Sequence, residues 1–336
     1  MVIREYLKLA RSFNAVLTGI SPVMGAIAMQ QYDLVLLFFL FLIGFLGHTY
    51  GFVLNDILDY KIDRYESGIT DRPLVSGTIS MDRAWAFALS TLILAFLLAI
   101  YLSLVSNNYL PLFVLIISAC FITLYDLISK KLPLTDLILG AGVFFLVLYG
   151  ASTQVTFLYQ LPLIVWIVCI LGTIQVLFMN IVAGGLKDIE NDFRKGANTL
   201  AVKLGVRVVH QELQVSLGFK FVSYGIQLLD IIFVFLPFVI ITTFIDSPFL
   251  YIQWALLILI SVLMLFFSTK LLATQQFNRD TMRKYIGLHY YTNFALVPVL
   301  LMTLTPWALI LVIFPALGFL LSNFILHGTW LQPKTM

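Results

Sequence analysis

Apolar residues run along this chain in long blocks, and its polar residues collect in the gaps between them. A helix crosses a bilayer with ~20 mostly apolar residues. Scanning at that length predicts helices near 12–30, 34–54, 84–106, 109–125, 134–151 and 159–185, then near 215–243, 249–268, 286–304 and 307–326. Asn14, Ser21 and Pro22 interrupt the first of these. The last two are expected to be separate helices meeting at "TLTPW", because Pro306 suits a helix start better than its interior. The expected count is therefore nine or ten spans. The opening "MVIREYLKLARSFNAV" lacks the charged, apolar and small-residue order of a cleaved signal, and its spacing predicts a short amphipathic helix on the membrane surface.

The gaps alternate in charge. Arg4, Lys8 and Arg11 precede the first block, Lys61, Arg64, Arg72 and Arg83 follow the second, and Lys130 and Lys131 follow the fourth. Lys187 to Lys220 and Lys270 to Lys284 continue the pattern, whereas "QQYD", "SLVSNNY", "STQVTFLYQ" and "FIDSP" hold no Lys or Arg. Cytoplasmic loops carry the excess of Lys and Arg, so the N-terminus and all the large loops are expected on that face. Lys334 joins them if the spans number ten. With 61% hydrophobic residues, 11% charged and a mean hydropathy of +1.00, the composition excludes a soluble domain and a disordered chain. Cys120 and Cys169 lie inside apolar blocks and read as packing residues, with no disulfide and no thiolate metal site. The expectation is an all-α, polytopic transmembrane bundle formed by one domain, residues 1–336, with 305–336 as an extra helix and tail.

Acids stand where that picture least expects them. "NDILDYKIDRYESGITDRPLVSG" follows the second block directly, and Asp56, Asp59 and Asp63 at i, i+3 and i+7 share one helical face. In "GGLKDIENDFRKGANTLAVKLG", after the sixth block, Asp188 and Asp192 share a face at i, i+4 while Glu190 points elsewhere. Both groups are at the same depth and on the same side, so folding can set them across a cavity from each other. Acids beside hydrocarbon call for a partner. Converging carboxylates suit a hard divalent cation, and Mg²⁺ in particular is held by a few carboxylates together with substrate phosphate oxygens. Arg72, Lys130, Lys131, Arg194, Lys195 and Lys203 are on the same face to complete the neutralisation of such a ligand.

Other chemistries find no support. The histidines at 48, 210, 289 and 327 form no zinc pair, and neither a P-loop nor a G-x-G-x-x-G after a strand is present, so nucleotide and nucleic-acid binding are not expected. His48 faces the cavity or is a hydrogen-bonded structural residue, and Asp230 reads as a helix-packing hydrogen-bonder. A secondary transporter would also carry intramembrane acids, but near the midplane and not at one face.

On these residues the chain resembles the UbiA superfamily of intramembrane prenyltransferases. Asn55, Asp56, Asp59 and Asp63 match the family's N-D-x-x-D-x-x-x-D, Asp188 and Asp192 its D-x-x-x-D, and "DRPLVSG" and "GANTLAVKLG" resemble the segments that follow. The resemblance implies a helical bundle around a central cavity open to lipid. It implies Mg²⁺ as cofactor, a polyprenyl diphosphate as donor, and ionisation of the allylic C–O bond before a membrane-associated acceptor attacks. Carried over residue by residue, metal binding falls on Asp56, Asp59, Asp63, Asp188 and Asp192. Diphosphate contact falls on Asn55, Arg72 and either Lys130 or Lys131, while Asn14, Tyr125 and Asn180 are expected near the cavity. The acceptor is a lipid, as in archaeal digeranylgeranylglyceryl phosphate synthases, or an aromatic quinone precursor, with the lipid favoured because no aromatic-acid clamp is visible.

Overall fold

The structure, a computed structural model, describes residues 2–64, 71–129, 131–132, 134–194 and 196–331. Each apolar block forms a helix. A short α1 (Val2–Leu9) leads into α2 (Ser12–Ala28), α3 (Leu34–Asp63), α4 (Met81–Ser106), α5 (Leu110–Ile128), α6 (Asp136–Ser152) and α7 (Leu163–Leu177). A π-helical segment, Phe178–Gly184, joins α7 to α8 (Gly185–Arg194), and one turn, α9 (Leu200–Lys203), precedes a small hairpin of β1 (Arg207–Val209) and β2 (Glu212–Gln214). Then come α10 (Leu217–Phe235), the turns α11 (Pro237–Ile240) and α12 (Thr242–Ile245), α13 (Leu250–Leu272), α14 (Arg279–Leu301) and α15 (Ile310–His327).

Among the described residues seven helices are long and apolar enough to cross a membrane, and α2 and α6 are shorter apolar helices. The ninth block, α14, begins with Arg279, Asp280, Arg283 and Lys284 and is the least apolar of the ten. Leu97, Leu104, Phe113, Ile258 and Ile313 stand exposed on the outer faces of the bundle, as side chains facing lipid do. The chain is an integral, multi-pass membrane protein.

Two local features differ from the sequence expectation. Pro22 does not interrupt the first helix, which runs unbroken from Ser12 to Ala28. Here α2 packs backbone to backbone on α6: a Cβ at Gly150 would collide with the Pro22 carbonyl, and one at Gly25 with the Val147 carbonyl. Glycine is required at both contacts, because only a missing side chain allows so close an approach. The second helix also does not stop at residue 54 but continues to Asp63, carrying its acids out on a rigid rod.

Candidate active site

The inner faces of α2 to α8 and α14 enclose a cavity of about 310 Å³, within the ~300–1,000 Å³ of small-molecule sites. Its membrane-embedded walls are apolar, with Leu92, Phe96, Leu115, Ile122, Val143 and Met179. Its other end is polar. Asp59 and Asp63 enter from α3, and Asp188, Asn191 and Asp192 from α8. The two acidic motifs, more than a hundred residues apart in sequence, thus line one space.

Local structure explains the placement on each side. The segment after α3 closes on itself: Ser76 N–H donates to the Arg72 carbonyl at 2.8 Å, Ile79 N–H to Pro73 at 3.1 Å, and Gly77 supplies the left-handed φ of 73°. Leu74 is buried beneath it. The turn returns the Arg72 guanidinium to α3, where it bridges Asp63 and, at 3.4 Å, Asp56. On the other side the π segment inserts its extra residue just before α8, the kind of irregularity found often at functional sites. Asn180, on that segment, donates to the Tyr125 hydroxyl at 2.7 Å and to Asp136 at 3.2 Å, so both amide hydrogens are used. Beyond α8, Ala197 N–H returns to the Asp192 carbonyl at 2.9 Å, and Gly196 takes a φ of 64° that suits glycine.

Of the residues expected from sequence, Asn14, Asn55, Asp59, Asp63, Arg72, Tyr125, Asn180, Asp188 and Asp192 line the cavity. Asp56 does not. It is buried behind the wall, accepting from Arg11 at 2.7 Å and from Arg72. The i, i+3, i+7 spacing groups the three acids on one face, but a face spans an arc, and the two arginines draw Asp56 to its edge. Lys131 is not at the cavity either: it is exposed and donates to the Leu127 carbonyl at 2.7 Å, closing the end of α5. Lys130 and Lys195 lie outside the described residues. Arg194 pairs with Glu190 away from the cavity, and Lys203 is exposed.

The cavity also holds residues that sequence reasoning passed over. Arg11 and Lys187 read there as orientation charges, yet both are buried on the cavity wall, Lys187 lying 3.5 Å from Asp188. Arg11 takes a left-handed φ of 46° at the junction of α1 and α2, an uncommon state for a side-chain-bearing residue and one that clusters at functional sites. Burial lowers its pKa from the usual arginine value and Asp56 opposes the shift. Asp126, bonded to Asn55, also lines the wall. The usable signals were Arg11 one turn before Asn14, and Asp126 beside Tyr125.

Among the described residues no three acids, histidines or cysteines gather closely enough to hold a metal by themselves. Acids and buried cations at one end of an apolar pocket inside a membrane bundle define the class: an intramembrane transferase. A model of the UbiA prenyltransferase family matches residues 15–284, and the chain belongs to that family.

Its relatives are consistent with this. Digeranylgeranylglyceryl phosphate synthase of Sulfolobus acidocaldarius is 28% identical over 255 residues, covering 70% of this chain and 87% of that protein. The 2-acylphloroglucinol 4-prenyltransferase of Humulus lupulus is 32% identical over 184 residues, covering 51% of this chain and 41% of that protein. The structure of a UbiA homolog from Archaeoglobus fulgidus bound to GPP and Mg²⁺ is similar at a TM-score of 0.62 and 16% identity, over 87% of this chain and 99% of that one.

Proposed function

We propose that the chain, as one prenyltransferase unit, transfers an isoprenyl group from an allylic polyprenyl diphosphate to a glyceryl phosphate lipid such as geranylgeranylglyceryl phosphate, releasing diphosphate. The observation that carries this reading is the meeting of Asp59 and Asp63 with Asp188 and Asp192 in one cavity beside Arg11, Arg72 and Lys187. Those four carboxylates would hold Mg²⁺, and the bound ion would supply charge neutralisation for the departing diphosphate. Arg72 and Lys187, preplaced at the acids, stabilise the same charge. The apolar walls keep water from the allylic cation, and the prenyl tail enters from lipid. Asp56 acts from behind by aiming two guanidiniums. The Lys- and Arg-rich loops at this end of the cavity support a cytoplasmic position for it, by the positive-inside rule.

The named function of the Sulfolobus relative favours the lipid acceptor. That of the Humulus relative keeps an aromatic acceptor as the second reading. Offering the purified protein one C20 allylic diphosphate with each acceptor class, and identifying products by mass spectrometry, separates them. A prenylated glyceryl phosphate ether is expected, and a prenylated aromatic product alone would reject the lipid reading.

A further inference from the structure

Acids and their cations occupy one part of the cavity, but a second set of polar atoms lies on the wall made by α2 and α3. Arg11 Nε, Asn14 Oδ1 and His48 Nε2 are buried, belong to side chains lining the cavity, and have no hydrogen-bond partner among the described residues. Arg11 and His48 are each only 7% exposed. Their other contacts hold them still. Arg11 Nη2 donates to Asp56, and its guanidinium lies 4.7 Å from the centre of the Phe52 ring. The His48 ring lies 4.3 Å from the same Phe52 ring, and its Nδ1 is 2.8 Å from Thr18 Oγ1. Phe52 therefore carries the cation and the imidazole as neighbours. Leaving a buried polar atom unpaired costs about 1–3 kcal/mol, so three on one wall point to a ligand that completes them.

Two anions must enter this cavity if the proposed reaction is right, and the inference rests on that reading. The donor diphosphate goes to the acids, where Arg72 contacts Asp63 and Lys187 contacts Asp188. Among the described residues the carboxylate that pairs with Arg11 is Asp56, which is outside the lining. We propose that Arg11, Asn14 and His48 form the head-group subsite of the acceptor, a phosphate monoester with a free hydroxyl: Arg11 takes the phosphate, and His48 Nε2 takes the hydroxyl. The tautomer that donates Nδ1–H to Thr18 presents a lone pair at Nε2. The carbon–oxygen bond to diphosphate breaks with its electron pair leaving on the diphosphate, and the hydroxyl oxygen then bonds to the allylic cation. The hydroxyl proton passes to Nε2. Asn14 Oδ1 accepts from a second polar hydrogen of the bound head group.

The test compares wild type, Arg11→Gln, Arg11→Ala and His48→Gln on a glyceryl phosphate ether and on the same ether without its phosphate, with the donor varied separately. Arg11→Ala is expected to lower the ratio of kcat/KM for the phosphorylated over the neutral acceptor on the order of tenfold or more, with donor KM within about twofold of wild type. Arg11→Gln keeps a donor for Asp56 and reads the same ratio if the alanine variant does not fold. His48→Gln is expected to lower kcat on both acceptors without changing donor KM. An unchanged ratio in the Arg11 variants, or a raised donor KM with the ratio intact, overturns the subsite while leaving the prenyl-transfer reading standing. A wild type that uses neither ether rejects the acceptor reading and the subsite together.

Discussion

At the scale of single residues, the acids of the two motifs divide between the cavity and the wall behind it. Asp59 and Asp192 face the cavity from opposite helices, so Asp59→Ala and Asp192→Ala should each nearly abolish transfer while leaving the detergent-solubilised melting temperature close to wild type. Asp56 differs because it is buried under two guanidiniums. Replacing it with Ala leaves Arg11 without its carboxylate, a loss of about 3–5 kcal/mol for a broken buried pair. Asp56→Ala should therefore lower the melting temperature as well as the activity, and a variant as stable as wild type would contradict that role. Arg72 bridges the first motif from a closed turn, so Arg72→Ala should cost about 2–4 kcal/mol of transition-state stabilisation, measured as kcat/KM for the donor. Arg72→Lys, keeping the charge and losing the fork, should fall between. Sequence could identify that turn from Pro73 and Gly77. It could not show that Arg11, some sixty residues earlier, shares Asp56 with Arg72, because such a contact depends on how α2 lies against α3.

At the scale of elements, the apolar blocks gave every long helix, since length and hydropathy are local properties of the chain. What escaped was decided by packing. Pro22 looks like a helix breaker in isolation, but within α2 its carbonyl meets Gly150 across a helix contact too close for any side chain. Gly150→Leu should force α2 and α6 apart, lowering thermal stability in detergent by at least the 1–3 kcal/mol typical of overpacking. The same residue exposed to lipid would tolerate leucine, so an unchanged melting temperature would contradict the contact. The π segment before α8 was equally hidden: "FMNIVAG" is ordinary apolar sequence, and its extra residue shows only in the hydrogen-bond pattern.

At the scale of the whole molecule, aromatic placement marks the membrane boundary opposite the acidic motifs. Tyr32, Tyr109, Tyr159, Tyr251 and Trp307 are all exposed in or beside the connections at the end opposite the acidic motifs, as an interfacial girdle of aromatics would be. Single cysteines at Ser80 and Gln154, in a background without Cys120 and Cys169, should label with an impermeant reagent from opposite sides of a sealed vesicle. Labelling from one side would break the span order and separate the two motifs. That the motifs share one cavity is the central claim, and metal-dependent transfer tests it most directly. With a C20 allylic diphosphate and a glyceryl phosphate ether, product formation by the purified protein should require Mg²⁺, stop in excess chelator and return when Mg²⁺ is restored. Transfer that continues undiminished in chelator would contradict it.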